Sequence, residues 1–175
     1  KNVQDMNATP PVTGEMTDAP LLDEARADFI THHVAMNVAS CSAARLPSLV
    51  RAHGCRVSAD RRRVTLFVSV PRATALLADL RAGGAIAAVF TLPRTHETLQ
   101  LKGAGASIAP LEAGDDACIR AYVESLVEEL CRVGYKESLV RAVMSSADEE
   151  SVGLTFEPTA AFVQTPGPKA GSRLE

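Results

Sequence analysis

Residues 64–103, VTLFVSVPRATALLADLRAGGAIAAVFTLPRTHETLQLKG, decide the fold class. The stretch opens on 64–70, a run rich in β-branched residues that suits a pleated, half-buried surface. Pro71 then starts a different period. Ala73, Leu76, Leu77 and Leu80 fall on one helical stripe, and Gly83-Gly84 stops that helix. Residues 85–92 (AIAAVFTL) are a continuous apolar run of strand length, which predicts a central strand. Pro93-Arg94-Thr95-His96 is a loop. Residues 98–109 form a further strand, interrupted by Gly103 and Gly105, which mark a bulge or a close backbone approach.

Upstream, 46–58 reads as a strand joined to 64–70 through Ala59-Asp60-Arg61-Arg62, a hairpin connection by composition. Residues 34–41 alternate, with Val34, Met36 and Val38 set against Ala35, Asn37 and Ala39, which is strand-like. A first helix takes Asp18 as its cap and Pro20 in its first turn. It carries Leu22, Ala25, Phe29 and Ile30 at helical spacing and ends near Thr31-His32. Downstream, 115–133 is the clearest helix, with Ile119, Tyr122, Val123, Leu126, Val127, Leu130 and Val133 on one face. Asp115, Arg120, Glu124, Glu128 and Arg132 lie on the other, and Gly134 is the candidate C-cap. A short helix follows at 137–144. Residues 151–164 return to strand, with Pro158 marking an edge or a bend.

Hairpin-linked strands with intervening helices predict an α+β fold: six strands in a small antiparallel barrel, with flanking helices. Residues 1–18 read as a flexible N-terminal arm, 19–168 as a single domain and 169–175 as a flexible tail. The final Leu174-Glu175 is set aside as a candidate cloning remnant.

The chain of 175 residues is 46% hydrophobic, 22% charged and only 4% aromatic, so its core must be built from Ala, Val, Leu and Ile. A net charge of −3 gives none of the basic field that a nucleic-acid partner would call for. No apolar run reaches the roughly 20 residues that span a bilayer, and no signal peptide is visible. Cys41, Cys55, Cys118 and Cys131 form no CxxC pair and read as reduced, buried thiols, which predicts a cytoplasmic protein.

The segment quoted first, together with FVQTPGP near the C-terminus, resembles the pyridoxamine 5'-phosphate oxidase-like flavin-binding split barrels in its order and spacing. The likeness runs over residues 20–168. It implies a six-stranded antiparallel split β-barrel that works as a homodimer and holds FMN between its subunits. It also implies that Arg51 and Arg56 reach the phosphate, with Ser69, Arg72 and Thr74 at the following helix start. Gln100 would meet the flavin edge, with Lys102 beyond it. The residue chemistry is compatible, because charge-assisted bonds to phosphate are strong and arginine offers a two-pronged fork. Oxidase members of the family carry an Arg-Lys pair where this chain has Ala73-Thr74, and no pyridoxal phosphate segment is recognisable. The resemblance therefore implies a flavin-dependent oxidoreductase on an unknown small molecule rather than the oxidase itself. The alternative is a non-enzymatic binding or sensory domain for flavin, haem or deazaflavin.

Each of these residues also has a plain structural reading. Arg51 and Arg56 could be solvated strand cations, on opposite faces of a regular strand unless Gly54 carries a bulge. Arg72 and Thr74 could be first-turn helix residues, and Gln100 could simply face solvent. His96 is a loop histidine that could serve as an acid or base. His32-His33, and His53 with Cys55, supply too few ligands for a metal. Gly103-Ala104-Gly105 lacks the third glycine and the helix of a dinucleotide loop.

Overall fold

In three places a stretch that reads as one strand changes sheet partway along, and these corners set the architecture. The computed structural model describes residues 19–174. Among them are nine strands and four α-helices. The strands are β1 (Ala35–Cys41), β2 (Pro47–Arg51), β3 (Cys55–Val57), β4 (Val64–Ser69), β5 (Ile86–Thr91), β6 (Thr98–Gly103), β7 (Ser107–Pro110), β8 (Ser151–Phe156) and β9 (Ala160–Val163). The helices are α1 (Glu24–Thr31), α2 (Thr74–Arg81), α3 (Asp115–Arg132) and α4 (Glu137–Met144). The five-stranded sheet runs β2-β1-β5-β6-β9 and the four-stranded sheet β3-β4-β8-β7, with every pairing antiparallel.

The six expected strands thus become nine. The run 46–58 breaks at Ala52-His53-Gly54, 98–109 breaks after Gly103, and 151–164 breaks before Pro158-Thr159. Each break passes the chain from one sheet to the other, as barrel corners do. Gly54 turns the first corner at φ 131°, a left-handed value that disfavours side chains. A Cβ there would also lie 3.3 Å from the Tyr122 Cβ. Gly103 is a close approach: a Cβ would come within 2.8 Å of the Phe156 ring. Pro158, which has no N–H for a ladder, accounts for the third break.

The central-strand reading of 85–92 holds, since β5 lies in the middle of the larger sheet. Met36, Val38, Ala88, Phe90, Leu99 and Leu101 point inward from that sheet and are buried. Val64, Leu66, Val68, Leu154 and Phe156 of the smaller sheet belong to the same core. The α2 stripe is buried as expected, with Ala73 now at the N-cap.

Four local expectations change. Asp18 lies outside the described residues, as does the arm 1–18, and the cap of α1 is Asp23, whose carboxylate accepts the Arg26 N–H at 2.7 Å. Asp115 is buried rather than on the solvent face of α3, while Val133 is 39% exposed. All four cysteines are free, but Cys41 and Cys118 are exposed. The segment read as a tail lies along β9, where the Leu174 N–H donates to the Ala161 carbonyl at 2.8 Å. No helix among the described residues is long and apolar enough to cross a membrane.

Candidate functional site

In an antiparallel sheet, directly opposed residues point to the same face. The register of the five-stranded sheet therefore builds a continuous row: Arg51 opposite Asn37, Asn37 opposite Val89, Val89 opposite Gln100, and Gln100 opposite Phe162. A second row beside it runs Leu49, Ala39, Ala87, Lys102 and Ala160. These are the residues that alternate with the core, so both rows lie on the face turned away from it. Most are half-buried, and Leu49 is 68% exposed. The floor of this face is small and apolar: Ala39, Ala87, Val89 and Ala160.

Polar groups stand at its margins. Arg51 closes β2 and has no carboxylate partner among the described residues. The Gln100 carbonyl oxygen accepts from the Gln164 side-chain amide at 3.2 Å. The Lys102 ammonium lies 4.6 Å from the Phe162 ring centroid, a cation–π contact. Three of the sequence-derived residues, Arg51, Gln100 and Lys102, therefore share one surface.

The other four do not join it in the way the strand reading expected. Arg56 is on β3, in the other sheet from Arg51, because the chain turns its corner between them. The Arg56 Nε donates to Asp115 Oδ1 at 2.9 Å, and its Nη2 lies 2.8 Å from Glu112 Oε2. Burial pulls its pKa down, but the bonds to Glu112 and Asp115 outweigh this and raise it. Ser69, Arg72 and Thr74 meet at the start of α2, as expected. Thr74 is exposed and its hydroxyl donates to the Pro71 carbonyl at 3.3 Å. Ser69 and Arg72 are both engaged by Glu149, a residue that the sequence reading did not single out. The Ser69 hydroxyl donates to Glu149 Oε2, and the Arg72 Nη2 to Oε1 at 3.0 Å. The Arg72 bonds hold the Glu149 carboxyl below the usual carboxylate range, with Ser69 adding to the effect.

His53 feels the charges of Arg51 and Arg72. It is 1% exposed, at the corner joining β2 to β3. Its Nε2 pairs with the Ser146 hydroxyl at 2.8 Å, and its Nδ1 has no partner. Burial pushes its pKa down to about 4, helped by the positive charges of Arg51 and Arg72 and opposed by Glu149. His96 is exposed in its loop. Asn37, Phe162, Glu149 and Asp115 are the participants that sequence reading missed. Only Asn37 had a usable signal, as the single amide on outward positions otherwise held by Ala35, Ala39 and Cys41.

No protein-family model and no curated protein matches the sequence. Solved structures do. A candidate pyridoxamine 5'-phosphate oxidase from Lactobacillus delbrueckii superposes with a TM-score of 0.50 at 10% identity, over 81% of this chain and 93% of its own. HupZ from Group A Streptococcus superposes with a TM-score of 0.50 at 17% identity, over 86% of this chain and 99% of its own. Likeness at such identities establishes the architecture. The chain has the antiparallel split-barrel fold of the pyridoxamine 5'-phosphate oxidase-like proteins.

Proposed function

We propose that the outward face of the five-stranded sheet binds a flavin, with FMN as the cofactor, and that the protein is a flavin-dependent oxidoreductase acting on a small molecule. The observation that carries this reading is the row Arg51–Asn37–Val89–Gln100–Phe162 over a floor of alanines. A planar ring needs a flat apolar bed, which small side chains supply, and a few polar groups at its edge. Asn37 and Gln100 offer amides for that edge. Arg51 offers a cation with no competing carboxylate. When bound, the flavin would supply the electron transfer, while these side chains bind and orient it and the apolar floor keeps water from one ring face. The fit is good for the ring and narrower for a phosphate, since Arg56 and Arg72 already hold carboxylates.

Arg51→Ala is expected to weaken FMN binding by about tenfold or more, as loss of a charge-assisted bond to phosphate should. Quenching of flavin fluorescence reads this directly. Unchanged affinity in a folded variant would overturn the assignment of Arg51.

The same face is proposed to pair with a second copy of the chain. Leu49, at 68% exposed, carries its apolar surface to the β2 edge. A C2 interface would cover it and enclose the ligand. Light scattering at micromolar concentration should give twice the chain mass, and Leu49→Glu should shift the protein towards monomer. A monomeric wild type would remove the shared site.

One observation favours a second reading, a binding module without turnover. Two of the expected phosphate cations are engaged in ion pairs, and no acid–base group stands in the row. Bleaching of bound flavin by a nicotinamide donor supports the oxidoreductase. Stable binding without reduction supports the module. The free thiols accord with a cytoplasmic setting, which belongs to the same proposal.

A further inference from the structure

Ser69, Arg72 and Glu149 make a complete anion-binding arrangement in which the anion belongs to the chain itself. Ser69 ends β4, is 1% exposed, and directs its hydroxyl at Glu149 Oε2. The Arg72 guanidinium takes both oxygens of that carboxylate, with Nη2 3.0 Å from Oε1 and Nε 3.2 and 3.3 Å from Oε1 and Oε2. Glu149 comes from a distant part of the chain, directly after the 3-10 turn Ser145–Asp148. A second observation marks the same place. His53, buried and with Nδ1 unpartnered, holds that turn through Ser146, and it feels the charges of both Glu149 and Arg72.

We propose that Glu149 is a resident counter-anion, filling a site for a phosphate-type dianion formed by Ser69 and Arg72 at the start of α2, and that it thereby decides whether a ligand phosphate can be gripped there. The donors that seat a carboxylate here are those that seat a phosphate oxygen: an arginine fork and a hydroxyl, ahead of a helix whose first N–H groups favour negative charge. With Glu149 in place the cluster is neutral, and the Ser69 hydroxyl and the Nε–Nη2 edge of Arg72 are used. An arriving dianion would meet a like charge and find those donors already taken. Without Glu149 the same groups present a net positive cluster.

For the flavin this means that Arg51 alone anchors the phosphate in the wild type, a consequence that rests on the flavin reading above. The anion site itself does not rest on it. Inorganic phosphate titrated into wild type, Glu149→Gln and Glu149→Ala, by calorimetry and by thermal midpoint at constant ionic strength set with chloride, separates the two. Either variant is expected to bind phosphate about tenfold or more tightly than wild type. The further change Arg72→Ala should abolish the gain. Equal phosphate affinity in wild type and both variants, or a gain that survives loss of Arg72, would overturn the proposal. In the flavin arm, the ratio of FMN to riboflavin affinity should rise by about tenfold in Glu149→Gln. An unchanged ratio alongside a phosphate gain would confine the site to free anions, leaving its occupation by Glu149 supported. Loss of all flavin binding with the phosphate gain intact would sink the flavin reading alone.

Discussion

Lowering the pH from 6.5 to 4 is expected to remove roughly 3 kcal/mol of folding stability through His53 alone. Its imidazole protonates at about 4 in the folded chain, against 6.5 for the free group, because it is buried and faces Arg51 and Arg72. Between those two values the unfolded chain binds one more proton than the folded chain. Stability therefore rises with pH across this window and is lost as pH falls through it. It is fully present above 6.5, and below 4 both states are protonated and the contribution ends. About 2 kcal/mol should already be gone at pH 5. Carboxylates that bind protons more weakly than usual in the fold, such as Glu149 and Glu124, add losses at the acid end. The comparison that isolates the histidine is thus the change in unfolding free energy between pH 7 and pH 5, in urea, for wild type and His53→Gln. Wild type should lose about 2 kcal/mol more than the variant over that interval. Equal losses would show that His53 is charged in the fold or reached by water. The geometry gives the loss a location. Protonated His53 would repel both arginines around it and disturb the turn that carries Glu149.

How far the sequence predicts this arrangement depends on which interactions are local. The stripe of α2 and the alternation of β1 are periodicities within one segment and survive intact, and the long face of α3 survives except at its ends, where Asp115 is buried and Val133 exposed. The corners at Gly54, Gly103 and Pro158 left local marks too, but those marks said that the strand was disturbed, not that the chain changed sheet. That outcome depends on how the two sheets are laid together by the whole chain. The consequence for Arg51 and Arg56 is large: five positions apart in sequence, they end in different sheets. Gln100 and Lys102, two positions apart on β6, share a face by simple alternation, and register adds Arg51 and Phe162 from strands far away in the chain. Glu149 and Asp115 were opaque for the same reason. Each is one acid in an acidic run, and what sets it apart is the arginine it meets across 77 or 59 residues of chain.

Arg56→Ala is expected to destabilise the fold by about 3 kcal/mol while leaving the outward face of the five-stranded sheet intact. The Asp115 side chain is 4% exposed, and its Oδ1 takes the Arg56 Nε. Its other oxygen accepts the Glu112 N–H at 2.8 Å, closing the turn that begins α3. With arginine gone, a buried carboxylate keeps one backbone donor and no counter-charge, and that uncompensated charge is the main cost. Glu112, exposed on the surface, should matter far less, so Glu112→Ala is expected to cost about 0.5 kcal/mol or less. Asp115→Asn should recover part of the loss when combined with Arg56→Ala, since it removes the orphaned charge while keeping an acceptor for the Glu112 N–H. Denaturant midpoints of the single and double variants measure this coupling. Arg51→Ala provides the contrast: near-neutral for stability, severe for FMN. Had the two arginines served one phosphate together, the pattern would be different, with both variants folding well and both losing the ligand. A fully stable Arg56→Ala protein that fails to bind FMN would therefore return Arg56 to the cofactor site. A destabilised one that still binds FMN below its melting temperature would fix Arg56 as the bolt between β3 and α3.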